Sequence, residues 1–307
     1  MRCMDGFARV SEKTTIYVIY AIQPDWEDST HRNHSLHGDP TMTSSQPGTA
    51  LITGASSGIG ALYADRLAQR GYDLVLVARN EERLKALAND IRTRTGRAVE
   101  VFPADLNDAV SLANVEAKLR QDAGITLLVN NAGSGTHTPL LDSDVEQMSR
   151  MIDLNVTALT RLTYAAAPGF VARGSGAIIN ISSIVAISPE TLNGVYGGSK
   201  AFVLAFSQSL RHELADKGVR VQAVLPGATA TDFWPTGGLP VEHLPAEIVM
   251  RAEDLVDAAL LGFERGEAVT IPSLHQVEEW NAYEAARRTM APHLSSNTPA
   301  LRYRAAV

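Results

Sequence analysis

The sequence predicts an α/β fold: a doubly wound parallel sheet of about seven strands in a single domain. Three observations carry this reading. From residue 49 onward, short apolar runs alternate with amphipathic stretches, the pattern of strands joined by crossover helices. A glycine-rich turn follows the first of those runs directly. The composition is that of an ordinary globular chain, 45% hydrophobic and 20% charged.

The first strand is a short apolar run over residues 50–52. It enters TGASSGIG (53–60), after which an amphipathic run reaches Arg70 and is closed by Gly71. Strand, tight turn and helix in that order suit a dinucleotide pyrophosphate. Glycines let the backbone come close to the phosphates, and a helix N-terminus presents unpaired N–H groups and a favourable dipole. The sheet is therefore Rossmann-like. The spacing is TGxxxGxG rather than GxGxxG, so the turn taken alone also reads as a plain tight loop.

Residues 73–78 (DLVLVA) follow as a buried strand, and 81–91 as a helix with Leu84, Leu87, Ala88 and Ile91 on one stripe. Strand 98–102, a helix containing 112–119 and strand 125–129 come next, the last running into Asn130-Asn131-Ala132-Gly133. A long helix within 144–171 carries Met148, Met151, Ile152, Leu159 and Leu162. Strand 177–181, helix 195–216, strand 219–225, helix 254–263 and a short strand over 268–271 complete the series. Right-handed crossovers place helices on both faces of such a sheet. The segment 232–250 is rich in Pro and Gly and lies just past a strand end. Ligands bind beyond strand carboxyl ends in these sheets, so it reads as a lid.

The flanks differ from this core. Residues 1–46 read as a poorly ordered N-terminal extension with no sustained period beyond 16–22. Its Cys3, His31, His34 and His37 match no standard zinc spacing, so no metal is expected. Met42 precedes TSSQPGTALITG, a natural start for the domain, and residues 1–41 are expected to be dispensable. The domain then spans 47–272. A tail, 273–307, holds a short helix around 277–288 with Trp280, Tyr283, Arg287 and Arg288, which reads as packing over the lid or on a partner subunit.

The net charge of −7 leaves no basic excess to neutralise phosphates, which argues against a nucleic-acid partner. A single cysteine excludes an intramolecular disulfide and suits a reducing cytoplasm. No apolar run reaches the roughly 18–20 residues of a membrane span. The run at 16–22 is too short, and too closely flanked by charge, for a signal peptide.

Three features fall near strand C-terminal ends or on the intervening helices: Ser182-Ser183, the pair Tyr196 and Lys200 four apart on one helix face, and Asn155 within the long helix. Tyr-x-x-x-Lys alone reads as a surface pair. Together with the glycine turn, these residues resemble the short-chain dehydrogenase/reductase family over roughly residues 49–272. Its motifs occur in order: TGASSGIG (53–60), Asp105 in ADL, NNAG (130–133), Asn155, Ser183, YGGSK (196–200) and PGATAT (226–231). Ser183 lies thirteen residues before Tyr196, the family's spacing, and Ser182 is the less favoured neighbour.

The resemblance implies an oxidoreductase that interconverts a carbonyl and its alcohol with a nicotinamide cofactor. Tyr196 would be the general acid/base. Its ordinary pKa is near 10, and Lys200 beside it would favour phenolate and bind the nicotinamide ribose. Ser183 would hydrogen-bond the substrate oxygen. Asn155 would interrupt its helix and hold a water linking Lys200 to solvent. Gly54, Ser56, Ser57, Gly58, Ile59 and Gly60 would line the pyrophosphate, and Asp105 and Leu106 would meet the adenine. Asn131, Ala132 and Gly133 would pack by the adenosine ribose. Thr231 would bind the carboxamide end or the phosphates, with Pro226 and Gly227 in the same cofactor site.

NAD-preferring relatives carry an acidic residue at the end of the second strand; here Ala78 is followed by Arg79, which points to NADP(H) over NAD(H). The bland alternative is that Arg79 is a solvated strand end. Substrate contacts are expected from 134–138 (His137 among them), Val185, Ala186, Ile187, Asn193 and the lid residues Phe233, Trp234 and Leu239. These are mostly apolar with no Lys or Arg, so the expected substrate is a neutral, apolar small-molecule carbonyl or alcohol. A homodimer or homotetramer through the helices 144–171 and 195–216 is expected. Two alternatives are a non-catalytic NADP(H)-binding sensor on the same fold, and an epimerase or dehalogenase. The intact Ser183, Tyr196, Lys200 and Asn155 set favours the enzyme.

Overall fold

The computed structural model describes residues 47–236 and 241–304. The readings made on residues 1–46 and on Gly237, Gly238, Leu239 and Pro240 fall outside the described residues. In chain order the elements are β1 (Thr49–Thr53), α1 (Gly58–Gln69), β2 (Asp73–Ala78), α2 (Glu81–Thr95), β3 (Val99–Pro103), α3 (Ala109–Gln121), β4 (Ile125–Asn130), α4 (Val145–Ile152) and α5 (Leu159–Arg173). They continue with β5 (Gly176–Ile181), α6 (Gly194–Leu214), β6 (Val219–Val224), β7 (Thr229–Ala230), α7 (Phe233–Thr236), β8 (Met250–Arg251), α8 (Ala252–Glu264), β9 (Val269–Thr270) and α9 (Val277–Met290).

Seven strands form one parallel sheet in the order β3-β2-β1-β4-β5-β6-β9. The central strands read as near-continuous apolar runs because both of their faces are covered. One face packs under α1, α2 and α8 through Tyr63, Leu67, Leu84, Ile91, Leu255 and Phe263. The other packs under α3, α5 and α6 through Leu112, Val115, Leu162, Phe170 and Leu210. Helices on both faces make the sheet doubly wound, as the sequence predicts. The strand order reverses between β1 and β4, so a crevice opens beyond their carboxyl ends, the usual ligand position in open α/β sheets.

A buried polar chain ties this crevice to the helices below it. Asn130 Nδ2 donates to Asn180 Oδ1 at 2.9 Å and to Thr163 Oγ1 at 3.1 Å, and Asn180 Nδ2 donates to Ser207 Oγ at 2.9 Å. Each such bond contributes about 1 kcal/mol net, and removing one partner costs more because the other stays buried.

Two features add to the sequence reading. Where the resemblance implies that Asn155 interrupts its helix, Asp153–Ala158 winds as a π segment between α4 and α5. The segment 232–250, expected from the sequence as a lid, also has a base of its own. Thr229 pairs with Met250 and Ala230 with Arg251 in a two-stranded parallel ribbon, with Met250 N–H donating to Ala228 O at 2.8 Å. The two ends of that segment are thereby held together.

The compact unit carrying the sheet runs through His275, and the chain from Gln276 belongs to a second unit. Within that second unit α9 stacks Trp280 on Tyr283 with 5.4 Å between ring centroids, and Arg287 pairs with Glu284 at 2.8 Å. No helix among the described residues is long and apolar enough to cross a membrane.

Candidate active site

The turn after β1 is built for close backbone approach. Gly54 adopts φ +65° and Gly58 φ +53°, in the left-handed region that favours glycine. A Cβ on Gly60 would collide with the Gly54 carbonyl oxygen and reach 2.8 Å from its carbon. Ser57 is the N-cap of α1 yet makes no side-chain cap bond, and the first turn holds no acidic residue. The N–H groups opening this twelve-residue helix are thus left for an anion. This is the fit that a dinucleotide pyrophosphate requires, and Gly54, Ser56, Ser57, Gly58, Ile59 and Gly60 form the turn that offers it. Thr231 faces this turn, its Cβ 3.4 Å from where a Cβ on Gly58 would lie.

The NNAG stretch braces the turn. Thr53 Oγ1 accepts from the N–H groups of Asn131 and Ala132, each at 3.0 Å, while Asn131 Nδ2 donates to the carbonyls of Thr53 at 2.9 Å and Gly54 at 3.3 Å. Thr53 has no role in the sequence reading. Its signal was position alone, a hydroxyl at the last residue of the strand before the turn.

The residues expected at the adenine behave differently from each other. Asp105 Oδ1 accepts the Asn107 N–H at 3.0 Å and shapes the loop after β3, whereas Leu106 is buried in the core under α3. Arg79 stands exposed beyond β2 and makes no ion pair among the described residues. Arg83, at the start of α2, reaches the exposed Asp232 of the lid at 3.5 Å, a contact of little energetic weight at that exposure.

Beyond β5 and in the first turns of α6 the remaining residues converge. Ser182 Oγ donates to the Lys200 carbonyl at 2.7 Å and so fastens the helix. Ser183 is turned the other way: its Oγ donates to the Pro226 carbonyl at 3.4 Å, accepts the Val185 N–H at 3.4 Å, and lies near enough to the Tyr196 phenol to lower its pKa. Lys200 Nζ donates to the Ile181 carbonyl at 2.9 Å and lies 5.8 Å from the centre of the Tyr196 ring.

Burial pushes the Tyr196 phenol up to about 12, with the Ser183 bond pulling it back. Burial also pushes the Lys200 ammonium down to about 8. In the protein alone, burial outweighs any influence of Lys200 on the Tyr196 phenol. Desolvation governs both groups, and the ammonium is held by a backbone carbonyl.

Asn155 sits in the π segment, buried. Its Nδ2 donates to Ser134 O at 2.9 Å and Ser199 Oγ at 3.0 Å, and its Oδ1 accepts the Ser134 N–H at 2.9 Å. It thereby stitches the loop after β4 to α6. A Cβ on Gly133 would lie 3.1 Å from Asn155 Oδ1 and 3.4 Å from Lys200 Nζ, so the bare glycine lets both approach the loop.

Asn193 departs from its expected place at the substrate. Its Oδ1 caps α6, accepting from Val195 N–H at 2.9 Å and Tyr196 N–H at 3.4 Å, and its Nδ2 donates to Thr138 O at 2.7 Å and Ser143 Oγ at 3.3 Å. Both ends of the amide are engaged within the protein. Around Tyr196 the walls are apolar: Met148, Met151 and Val185, with Leu192, Val195 and Phe233 packed against them. Trp234 anchors the lid's start, its Nε1–H donating to Thr229 O at 2.8 Å. Ile187 and His137 are exposed.

Residues 48–237 match the short chain dehydrogenase family model. The chain is 51% identical, with a TM-score of 0.82, to a short-chain dehydrogenase from Sphingobium yanoikuyae solved in complex with NADPH, covering 84% of this chain and all of that one. It is 45% identical, with a TM-score of 0.78, to the bulky-bulky ketone specific alcohol dehydrogenase from Comamonas testosteroni, over 84% of this chain and 99% of that one. An uncharacterised oxidoreductase of Staphylococcus epidermidis is 36% identical over 65% of this chain and 88% of its own. An open glycine cradle, a Ser–Tyr–Lys cluster at the sheet's carboxyl edge and these likenesses agree: the chain belongs to the short-chain dehydrogenase/reductase family and is an NAD(P)-dependent oxidoreductase acting on carbonyl or alcohol groups.

Proposed function

We propose that the protein is an NADP(H)-preferring reductase of neutral, apolar and bulky ketones, working through Tyr196, Ser183, Lys200 and Asn155. The observation that carries this is the convergence of the Ser183 hydroxyl on the Tyr196 phenol, inside apolar walls and at the edge of the sheet that bears the uncapped glycine turn. The solved relatives support both halves, one holding NADPH and the other specific for bulky ketones.

When bound, the nicotinamide cofactor supplies or accepts the hydride. In the reductive direction Tyr196 gives its proton to the substrate oxygen. A phenol pushed up to about 12 is fully protonated at neutral pH, as that role needs. Ser183 donates a hydrogen bond to the same oxygen as negative charge develops there. Lys200, with a protonated ammonium near neutral pH, holds the ribose and lowers the cost of the phenolate left on Tyr196. Asn155 fixes the loop that passes Lys200, and would hold there the water that links Lys200 to solvent.

The cofactor would lie over Gly54, Ser56, Ser57, Gly58, Ile59 and Gly60, with Asp105 and Leu106 near the adenine. Asn131, Ala132 and Gly133 would flank the ribose, and Pro226, Gly227 and Thr231 the nicotinamide end. Arg79 supplies the phosphate specificity, as an exposed guanidinium with no carboxylate holding it.

In this reading residues 47–272 are the catalytic domain and 232–250 its lid. The single cysteine supports a reducing, cytoplasmic setting. A homodimer through α5 and α6 is supported by an aromatic ladder. Tyr164, 68% exposed, stacks on Phe206 at 6.4 Å, and Phe206 stacks on the part-exposed Phe202 at 5.5 Å.

Oxidation of NADPH and NADH by the purified protein, over a ketone panel, tests the proposal. NADPH should be used with a KM at least about tenfold below that of NADH, the scale of one charge-assisted phosphate contact. Tyr196→Phe should cut kcat by roughly 10²-fold or more while binding NADPH as before. Arg79→Asp should narrow or reverse the cofactor preference. An unchanged preference in that variant refutes the NADP(H) assignment, and Tyr196→Phe turning over normally refutes the mechanism.

A further inference from the structure

Phe233 is the first residue of α7, just inside the lid, and its ring is seated in the chamber rather than in solvent. It lies 5.7 Å from the Tyr196 ring, centre to centre, at an interplanar angle of 42°. The seat is made by a missing side chain. A Cβ on Gly135, in the loop after β4, would collide with Phe233 Cζ, reach 2.9 Å from its Cε2 and come 3.0 Å from Tyr196 Cδ2. Gly135 has no positive φ, so its backbone does not require glycine. The space does.

Phe233 is also held from behind. Trp234 meets it edge-on at 5.7 Å, and that indole is pinned by its N–H to the Thr229 carbonyl at 2.8 Å. An aromatic ring is thus presented over the tyrosine by a residue whose neighbour cannot swing freely.

We propose that Phe233 selects the substrate, favouring ketones that carry a flat aryl group on one side of the carbonyl. This rests on the ketone reductase reading above. With Ser183 and Tyr196 at the oxygen, a substituent of the carbonyl carbon must pass along the apolar walls beside the Tyr196 ring. One of those walls is an aromatic face. Offset or edge-to-face aromatic pairs are more favourable than burial of the same area alone, and a saturated ring of equal size cannot make them. Met148 and Met151 close the same cluster with unbranched, polarizable side chains that adapt to rings of different outline.

The test compares two ketones of matched carbon skeleton, acetophenone and cyclohexyl methyl ketone, by NADPH oxidation with the full-length protein. The quantity read is the ratio of their kcat/KM values in the wild type against Phe233→Leu, which keeps an apolar side chain and removes the ring. Comparing ratios cancels the intrinsic difference in reactivity and hydrophobicity between the two ketones. The ratio should fall by about two- to tenfold in Phe233→Leu, the range expected of one aromatic pair.

Gly135→Ala attacks the same contact from the opposite loop and should lower the ratio in the same direction, even if its overall rate also drops. Calorimetric titration of the two ketones into NADP+-loaded protein, which has no hydride to transfer to them, gives the equilibrium counterpart, with the affinity ratio shifting in parallel. A ratio unmoved in both variants overturns the assignment of Phe233. So does a wild type that reduces other ketones but neither of these two. A wild type that reduces no carbonyl at all overturns the ketone reductase reading itself, and this inference with it.

Discussion

Lys200 and Ser182 show how little a residue type says until its partners are known. Two adjacent serines follow β5, and spacing to Tyr196 favoured the second. The structure separates them by direction, Ser182 binding the helix backbone at Lys200 and Ser183 turned to the Pro226 carbonyl on the side of the Tyr196 phenol. Lys200 was legible as a cation one turn beyond Tyr196. That it would be wholly buried and held by the Ile181 carbonyl was not, because that contact joins residues on different elements. Its burial has a consequence for stability. The folded state holds the ammonium at about 8 against an ordinary value of 10.5, so it disfavours the charged form. The penalty is present in full below pH 8 and is relieved as pH rises from 8 toward 10.5, where the unfolded chain keeps its proton longer. The melting temperature of the wild type relative to Lys200→Met should accordingly climb by roughly 2 °C or more between pH 7.5 and 10. A difference that is flat across that range would show the ammonium to be no more desolvated than in the unfolded chain.

The elements that position these groups were mostly legible, and where they were not, the reason is physical. Strands of six apolar residues and helices with a single apolar stripe announce themselves through local period. The π segment does not announce itself by period, since Asp153–Ala158 continues the helical pattern of its neighbours; only the family resemblance implies the interruption at Asn155. Asn193 carries two signals for a related reason. An Asn three residues before Tyr196 is a standard helix N-cap signal, and it also stands close in sequence to that tyrosine, where a substrate contact is expected. As a cap it sets the first turn of α6, and as a donor to Thr138 and Ser143 it locks that turn to the loop after β4. Asn193→Ala should cost about 1–2 kcal/mol in denaturant unfolding. Asn193→Asp, which keeps the cap acceptor and loses the donor, should recover around half of that. Equal losses in the two variants would mean that the cap contributes nothing and the loop tie everything.

At the scale of the molecule, the doubly wound sheet followed from the alternation of patterns, while its strand order with the switch point, and the aromatic ladder on α5 and α6, could be seen only once strands and helices were side by side. Tyr164→Glu places a charge at the exposed end of that ladder. If two copies associate there, light scattering should find a 32.9 kDa monomer for the variant and a dimer for the wild type. A wild type that is itself monomeric, or a variant that remains dimeric, rules this surface out. The ribbon of β7 and β8 has a different import. Because Thr229 and Met250 are already paired, the segment between them begins and ends at one fixed point, and the sheet does not register what lies beyond it. Lengthening a loop whose ends are joined costs little, on the order of 0.6 kcal/mol for each doubling. The stretch from 235 to 249 can therefore change in length at little cost to the sheet, whereas Thr231, which faces the glycine turn, and Phe233, which lies against Tyr196, have to stay for the site to keep its shape.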